Sequence, residues 1–203
     1  MACSHDCCGH TAQTVRYRRV LWVAFIINTL MFFVEIIGGI KAGSVSLLSD
    51  SLDFLGDSAN YLISLFVLGK ALQTRAYASL IKASTMGLFG LWIFGTTVYQ
   101  FFFGQLPNYH EMGVIGVLAC IANLSVAFLL YAFREGDSNM QSVWLCSRND
   151  ALGNLAVILA AVAVYFTQSH IPDLVVALLM SFLSLQSAWR IFAHARQELA
   201  TPK

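Results

Sequence analysis

Three aspartates fall at positions 50, 53 and 57 of the run Ser46-Leu-Leu-Ser-Asp50-Ser-Leu-Asp53-Phe-Leu-Gly-Asp57-Ser-Ala-Asn60. In a helix, positions i, i+3 and i+7 share one face. Burying one aspartate at the centre of a membrane helix costs about 2.5–3.5 kcal/mol. Three on one face must therefore look into a cavity, and their mutual repulsion needs a positive partner. A divalent cation resolves that conflict. A second run reads Val143-Trp-Leu-Cys146-Ser-Arg148-Asn149-Asp150-Ala-Leu-Gly-Asn154, with Cys146, Asp150 and Asn154 at four-residue spacing. A thiolate together with carboxylates suits a borderline-soft ion such as zinc or cadmium better than magnesium or calcium. Two helices that each offer an i, i+4 pair supply four tetrahedral ligands.

The elements that must carry these residues are membrane helices. The chain has 203 residues, 58% of them hydrophobic and 11% charged, whereas a soluble domain carries charge at about a quarter of its positions. A spanning helix needs about 20 apolar residues. Six stretches qualify, near 20–40, 45–68, 84–103, 114–133, 143–166 and 174–192, the second being the least apolar. In lipid every backbone polar group must be satisfied within its own segment, so these are helices. The expected fold is all-α and polytopic, with six transmembrane helices. Arg16, Arg18, Arg19, Lys70, Arg75, Lys82, Arg134, Arg190, Arg196 and Lys203 all fall on the side of the termini, against Lys41 alone on the other. That bias predicts cytoplasmic termini. A net charge of +1 gives no reason to expect a nucleic-acid partner. The expected surroundings are membrane lipid.

Gly43-Ser-Val-Ser-Leu-Leu-Ser-Asp50-Ser-Leu-Asp53-Phe-Leu-Gly-Asp57 resembles the second helix of cation diffusion facilitators, and Asn149-Asp150-Ala-Leu-Gly-Asn154-Leu-Ala-Val resembles their fifth. Asn28 and Glu35 in the first helix, and Pro172-Asp173 opening the sixth, fit as well. The resemblance covers residues 17–195. It implies efflux of zinc, or of cadmium, cobalt, manganese, iron or nickel, by antiport against protons. Access would alternate around a midplane site between the second and fifth helices. It maps the transport site to Asp53, Asp57, Cys146 and Asp150. The family's usual His is Cys146 here, with Asp50 and Asn154 as the nearest substitutes for a fourth ligand. Family and size together imply a multi-pass protein of a bacterial inner membrane. The family usually carries a cytoplasmic C-terminal metal-binding domain. The expectation here is a short form, with a Cys/His-rich tail at 1–16, the transporter at 17–195 and a short C-terminal tail at 196–203.

Other residues leave alternatives open. Cys3, His5, Cys7, Cys8 and His10 either capture metal or form a tail without a role in transport. Glu35 lines the exit path or pairs with Lys41. Arg148 snorkels to the surface or pairs with an acid. Asp173 is expected to cap the start of its own helix, Cys120 to be packing, and His110 and His170 to be solvated. Gly87, Gly90 and Gly95 suit either a homodimer seam or packing inside the bundle. The competing functions are an uncoupled metal channel and a membrane subunit that senses metal through its tail. No hydrolase constellation or nucleotide loop is present, so no enzyme is expected.

Overall fold

The computed structural model describes residues 6–67, 72–132 and 138–200. Side chains are described at 15–66, 77, 79–81, 83–132 and 150–200, apart from 194, 198 and 200. Six helices follow in order: α1 (Asp6–Ala42), α2 (Val45–Val67), α3 (Leu72–Phe103), α4 (Tyr109–Tyr131), α5 (Ser138–Thr167) and α6 (Ile171–Ala200). Each of the six expected spans lies almost wholly within one of them. The helices outrun the spans because polar turns can continue a helix beyond the apolar stretch. Thus α1 begins at Asp6, within the segment read as an N-terminal tail, and α6 runs on to Ala200. Cys3 and His5, and the side chains of Cys7, Cys8, His10, Cys146 and Arg148, lie outside what is described.

Only two residues separate α1 from α2. Gly43 takes φ +66°, a conformation that costs an ordinary L-residue, and the Ser44 N–H donates back to the Gly39 carbonyl at 3.0 Å. The start of α4 is fixed by Asn108, whose side-chain oxygen accepts from the backbone N–H of His110 and Glu111. The Asn108 N–H in turn donates to the Ala42 carbonyl at 2.8 Å, which docks this connection onto the end of α1.

Five of the helices contain segments long and apolar enough to cross a membrane: Val15–Ala42, Ser79–Phe103, Tyr109–Tyr131, Asp150–Thr167 and Ile171–Gln197. The exception is α2, which carries the three aspartates. It is also the one helix in contact with all five others. Its neighbours take the lipid-facing role, with Phe102, Phe103, Phe128, Phe166 and Trp189 all exposed. The helix that carries the three aspartates is thereby largely enclosed by the others.

Apolar clusters close the bundle above and below a polar middle. Toward the termini, Tyr17, Leu21 and Ala24 of α1 pack with Tyr61 and Leu65 of α2 and Val126 and Leu130 of α4. Toward the far end, Leu47, Met112, Val157, Val164 and Met180 form one cluster, and Val45, Leu48, Leu52, Ile93 and Leu174 another. Gly87 and Gly90 settle against α6: a Cβ on Gly90 would stand 3.0 Å from Leu185, and one on Gly87 3.9 Å from Ala188. Of the two roles open to these glycines, both take internal packing. Gly95 has nothing within 4 Å.

Candidate metal centre

A cavity of about 310 Å³ opens between α2, α3, α5 and α6. Asp53, Asp57 and Asn60 line it from α2, Asp150 from α5, and Ser187 and Arg190 from α6. The spacing on α2 explains part of this. Asp53 and Asp57 are one turn apart on one face, and that face meets α5 because the two helices pack together. Three of the six ligand candidates therefore come to one cavity from two separate helices.

Each carboxylate has its own surroundings. Asp57 is 6% exposed, and its Oδ2 accepts from the Tyr61 hydroxyl at 3.0 Å. Asp150 approaches Asp57 within hydrogen-bonding reach across the α2–α5 contact, while its own Oδ2 has no donor. Ser184 of α6 is the polar neighbour of Asp53. Among the described residues, no three His, Cys, Asp or Glu side chains are drawn into one coordination sphere. The cavity thus holds three acidic groups at hand rather than a closed cage. It can admit a cation that pulls them inward. Cys146 stands one helical turn before Asp150 on α5, and its side chain lies outside the described residues.

Asp50 and Asn154 do not line the cavity. Asp50 is 1% exposed and lies beside Glu35 of α1. Glu35 is itself fully buried, so it meets neither solvent nor Lys41, which is exposed.

Asp173 departs from expectation. It lies in the first turn of its own helix, where its charge suits the dipole, but its hydrogen bonds cap the N-terminus of α2 instead. Its Oδ1 accepts from the Ser44 hydroxyl at 2.7 Å, the Ser46 hydroxyl at 2.5 Å and the Ser46 N–H at 3.1 Å; its Oδ2 accepts from the Val45 N–H at 2.8 Å. The orphan N–H groups of a helix start favour an anion, and α2 opens at Val45 without an acidic residue in its first turn. The carboxylate comes instead from 127 residues further along the chain. Sequence reading also missed Arg190 as a cavity residue. In sequence it reads only as a charge that orients the chain, and nothing in its local pattern shows which helix α6 meets. Cys120 is half-buried, with its thiol 4.0 Å from the Ala151 carbonyl, as expected of packing.

A bundle of lipid-facing helices around one helix bearing buried carboxylates is the architecture of a membrane protein that handles ions. The chain belongs to the cation efflux family: its residues 21–200 match the cation efflux transmembrane domain. Curated relatives agree. It is 28% identical over 192 residues to the zinc transporter ZitB of Pectobacterium atrosepticum, covering 88% of this chain and 60% of the relative. It is 27% identical over 216 residues to ZitB of Escherichia coli K12, covering 98% and 68%. It is 26% identical over 199 residues to the cadmium, cobalt and zinc/H(+)-K(+) antiporter of Bacillus subtilis 168, covering 90% and 63%. The chain thus spans about three-fifths to two-thirds of the length of these relatives. The family and the apolar helices make it a multi-pass membrane protein of the bacterial inner-membrane kind.

Proposed function

We infer that the chain exports a divalent transition metal ion, zinc foremost, from the cytoplasm in exchange for protons. The observation that carries this reading is the meeting of Asp53 and Asp57 with Asp150 at one cavity between separate helices. Cys146 is the proposed fourth ligand, one turn from Asp150, and would bias the site toward zinc and cadmium. The printed names of the relatives support the same ions: zinc for ZitB, and cadmium, cobalt and zinc for the Bacillus antiporter.

The proposed cycle follows from the chemistry of the ligands. Carboxylates and a thiol bind metal only when deprotonated, so loading expels protons. The cavity lies in the half of the bundle nearer the termini, which the Lys and Arg bias assigns to the cytoplasm. Rocking of the helices would then close that mouth and open the far side. There the acidic groups take up protons and release the ion, and the protonated carrier returns. The empty cycle thereby carries protons inward.

The test is zinc uptake into vesicles containing the purified chain, with a pH dye inside. Antiport predicts that zinc entry drives lumenal pH up as protons leave. Zinc flux with no pH change would establish a channel. Unaltered zinc flux after removal of residues 1–12, together with loss of a metal response in cells, would assign sensing to the tail.

A further inference from the structure

Glu35, Asp50 and Asn154 are buried polar side chains that the cavity does not use. Glu35 and Asn154 are 0% exposed and Asp50 1%. The carboxyl groups of Glu35 and Asp50 lie side by side, within hydrogen-bonding reach of each other, and no other group donates to any of their four oxygens. Two carboxyl groups so placed either share a proton or hold a cation. Both the oxygen and the nitrogen of the Asn154 amide are without a partner. An unpartnered buried polar atom costs about 1–3 kcal/mol, so these side chains carry a standing cost unless something fills it.

Their position along the bundle is as telling as their isolation. Asp50 precedes Asp53 by three residues and Asp57 by seven, about 4.5 Å and 10 Å along α2 toward the far end. Asn154 follows Asp150 by four residues, about 6 Å along α5 in the same direction, and on the same helix face. Gly153 keeps the α5 backbone close to this point: a Cβ there would stand 3.9 Å from Asp50 Oδ1. The group therefore sits deeper than the cavity, on the line from it to the far side of the membrane.

We propose that Glu35, Asp50 and Asn154 form a second station for a divalent metal ion, occupied after the ion leaves the Asp53–Asp57–Asp150 cavity. The proposal rests on the transport reading above. Two carboxylates balance a dication, and the Asn154 amide oxygen is a third donor suited to the same ion. A station without a thiol holds the ion through oxygen alone, which favours onward release over retention. The unpartnered oxygens are then the ion's ligands rather than packing faults.

Zinc binding by equilibrium dialysis of the full chain in nanodiscs tests this, each variant being compared with wild type so that metal on the N-terminal Cys and His residues cancels. Glu35→Gln or Asp50→Asn is expected to lose one ion per chain, while the ion lost on Asp57→Ala is still bound. Combining Glu35→Gln with Asp57→Ala should lose both. Asn154→Asp adds a third carboxylate and should tighten the second ion about tenfold. That gain survives even if a loss variant folds poorly. If Glu35→Gln and Asp50→Asn bind as many ions as wild type while Asp57→Ala loses one, the second station is refuted and the cavity stands. If Asp57→Ala loses none, the cavity reading fails instead.

Discussion

Asp173, in the first turn of α6, holds the hydroxyl of Ser46, in the first turn of α2, at 2.5 Å. The same carboxylate takes three further hydrogen bonds from Ser44, Val45 and Ser46. One side chain thus fixes where the aspartate-bearing helix begins and ties it to the helix that supplies Arg190 to the cavity. Asp173→Ala would remove the carboxylate that four buried donors share, leaving only the Ser44–Ser46 hydroxyl contact to compensate. The expected destabilisation is about 2–4 kcal/mol, measured as thermal unfolding in detergent. Asp173→Asn, which keeps one acceptor, should cost roughly half as much. An unchanged melting temperature for Asp173→Ala would show that this clamp does not matter.

Gly90 and Gly95 offer an internal comparison on one helix. A Cβ at Gly90 meets Leu185 at 3.0 Å, whereas one at Gly95 meets nothing. Gly90→Val should separate α3 from α6 and cost about 1–3 kcal/mol. Gly95→Ala should be neutral or slightly stabilising, since alanine is the better helix former. The same unfolding measurement reads both.

Much of the fold was legible because its strongest signals are local. Apolar length announced six helices, and Asp53, Asp57 and Asp150 announced themselves as charges where lipid allows none. The fate of Asp50 was less legible. It shares a helix face with Asp53 and Asp57, but helical rise sets it about 10 Å from Asp57, and it meets Glu35 instead. Rotation about the helix is readable from spacing; which neighbour stands at each depth is not. Asp173 and Arg190 make the same point. The partners of Asp173, and the α2 residues that share the cavity with Arg190, lie more than a hundred residues away in sequence, and no periodicity encodes that approach.

Arg190 is the one cationic group lining the cavity among the described residues. A positive charge at this cavity would offset the carboxylates when no metal is bound and oppose a dication when one arrives. Arg190→Gln should therefore tighten zinc binding severalfold, because the repulsion of a nearby like charge is relieved. Arg190→Lys should keep wild-type affinity within about twofold. Titration of the nanodisc-embedded chain with zinc reads both. Weaker binding in Arg190→Gln would mean that the guanidinium serves the bound state instead.

Proton displacement sets the pH dependence. The ligands bind metal in their deprotonated form, so the metal-free protein carries more protons than the loaded one. Affinity must then rise with pH and fall toward acid, by about tenfold per pH unit for each proton displaced. Zinc dissociation constants measured from pH 6 to 8 should follow that slope in wild type and flatten in Asp57→Asn and Asp150→Asn.

Zinc uptake into vesicles carrying wild type, Asp57→Ala or Asp150→Ala is the most direct test of shared ligation across α2 and α5. Both substitutions are expected to reduce uptake to the level of empty vesicles, and the double variant should be no worse than either alone. Uptake at the wild-type rate in Asp57→Ala would contradict the assignment of the transport site to this cavity.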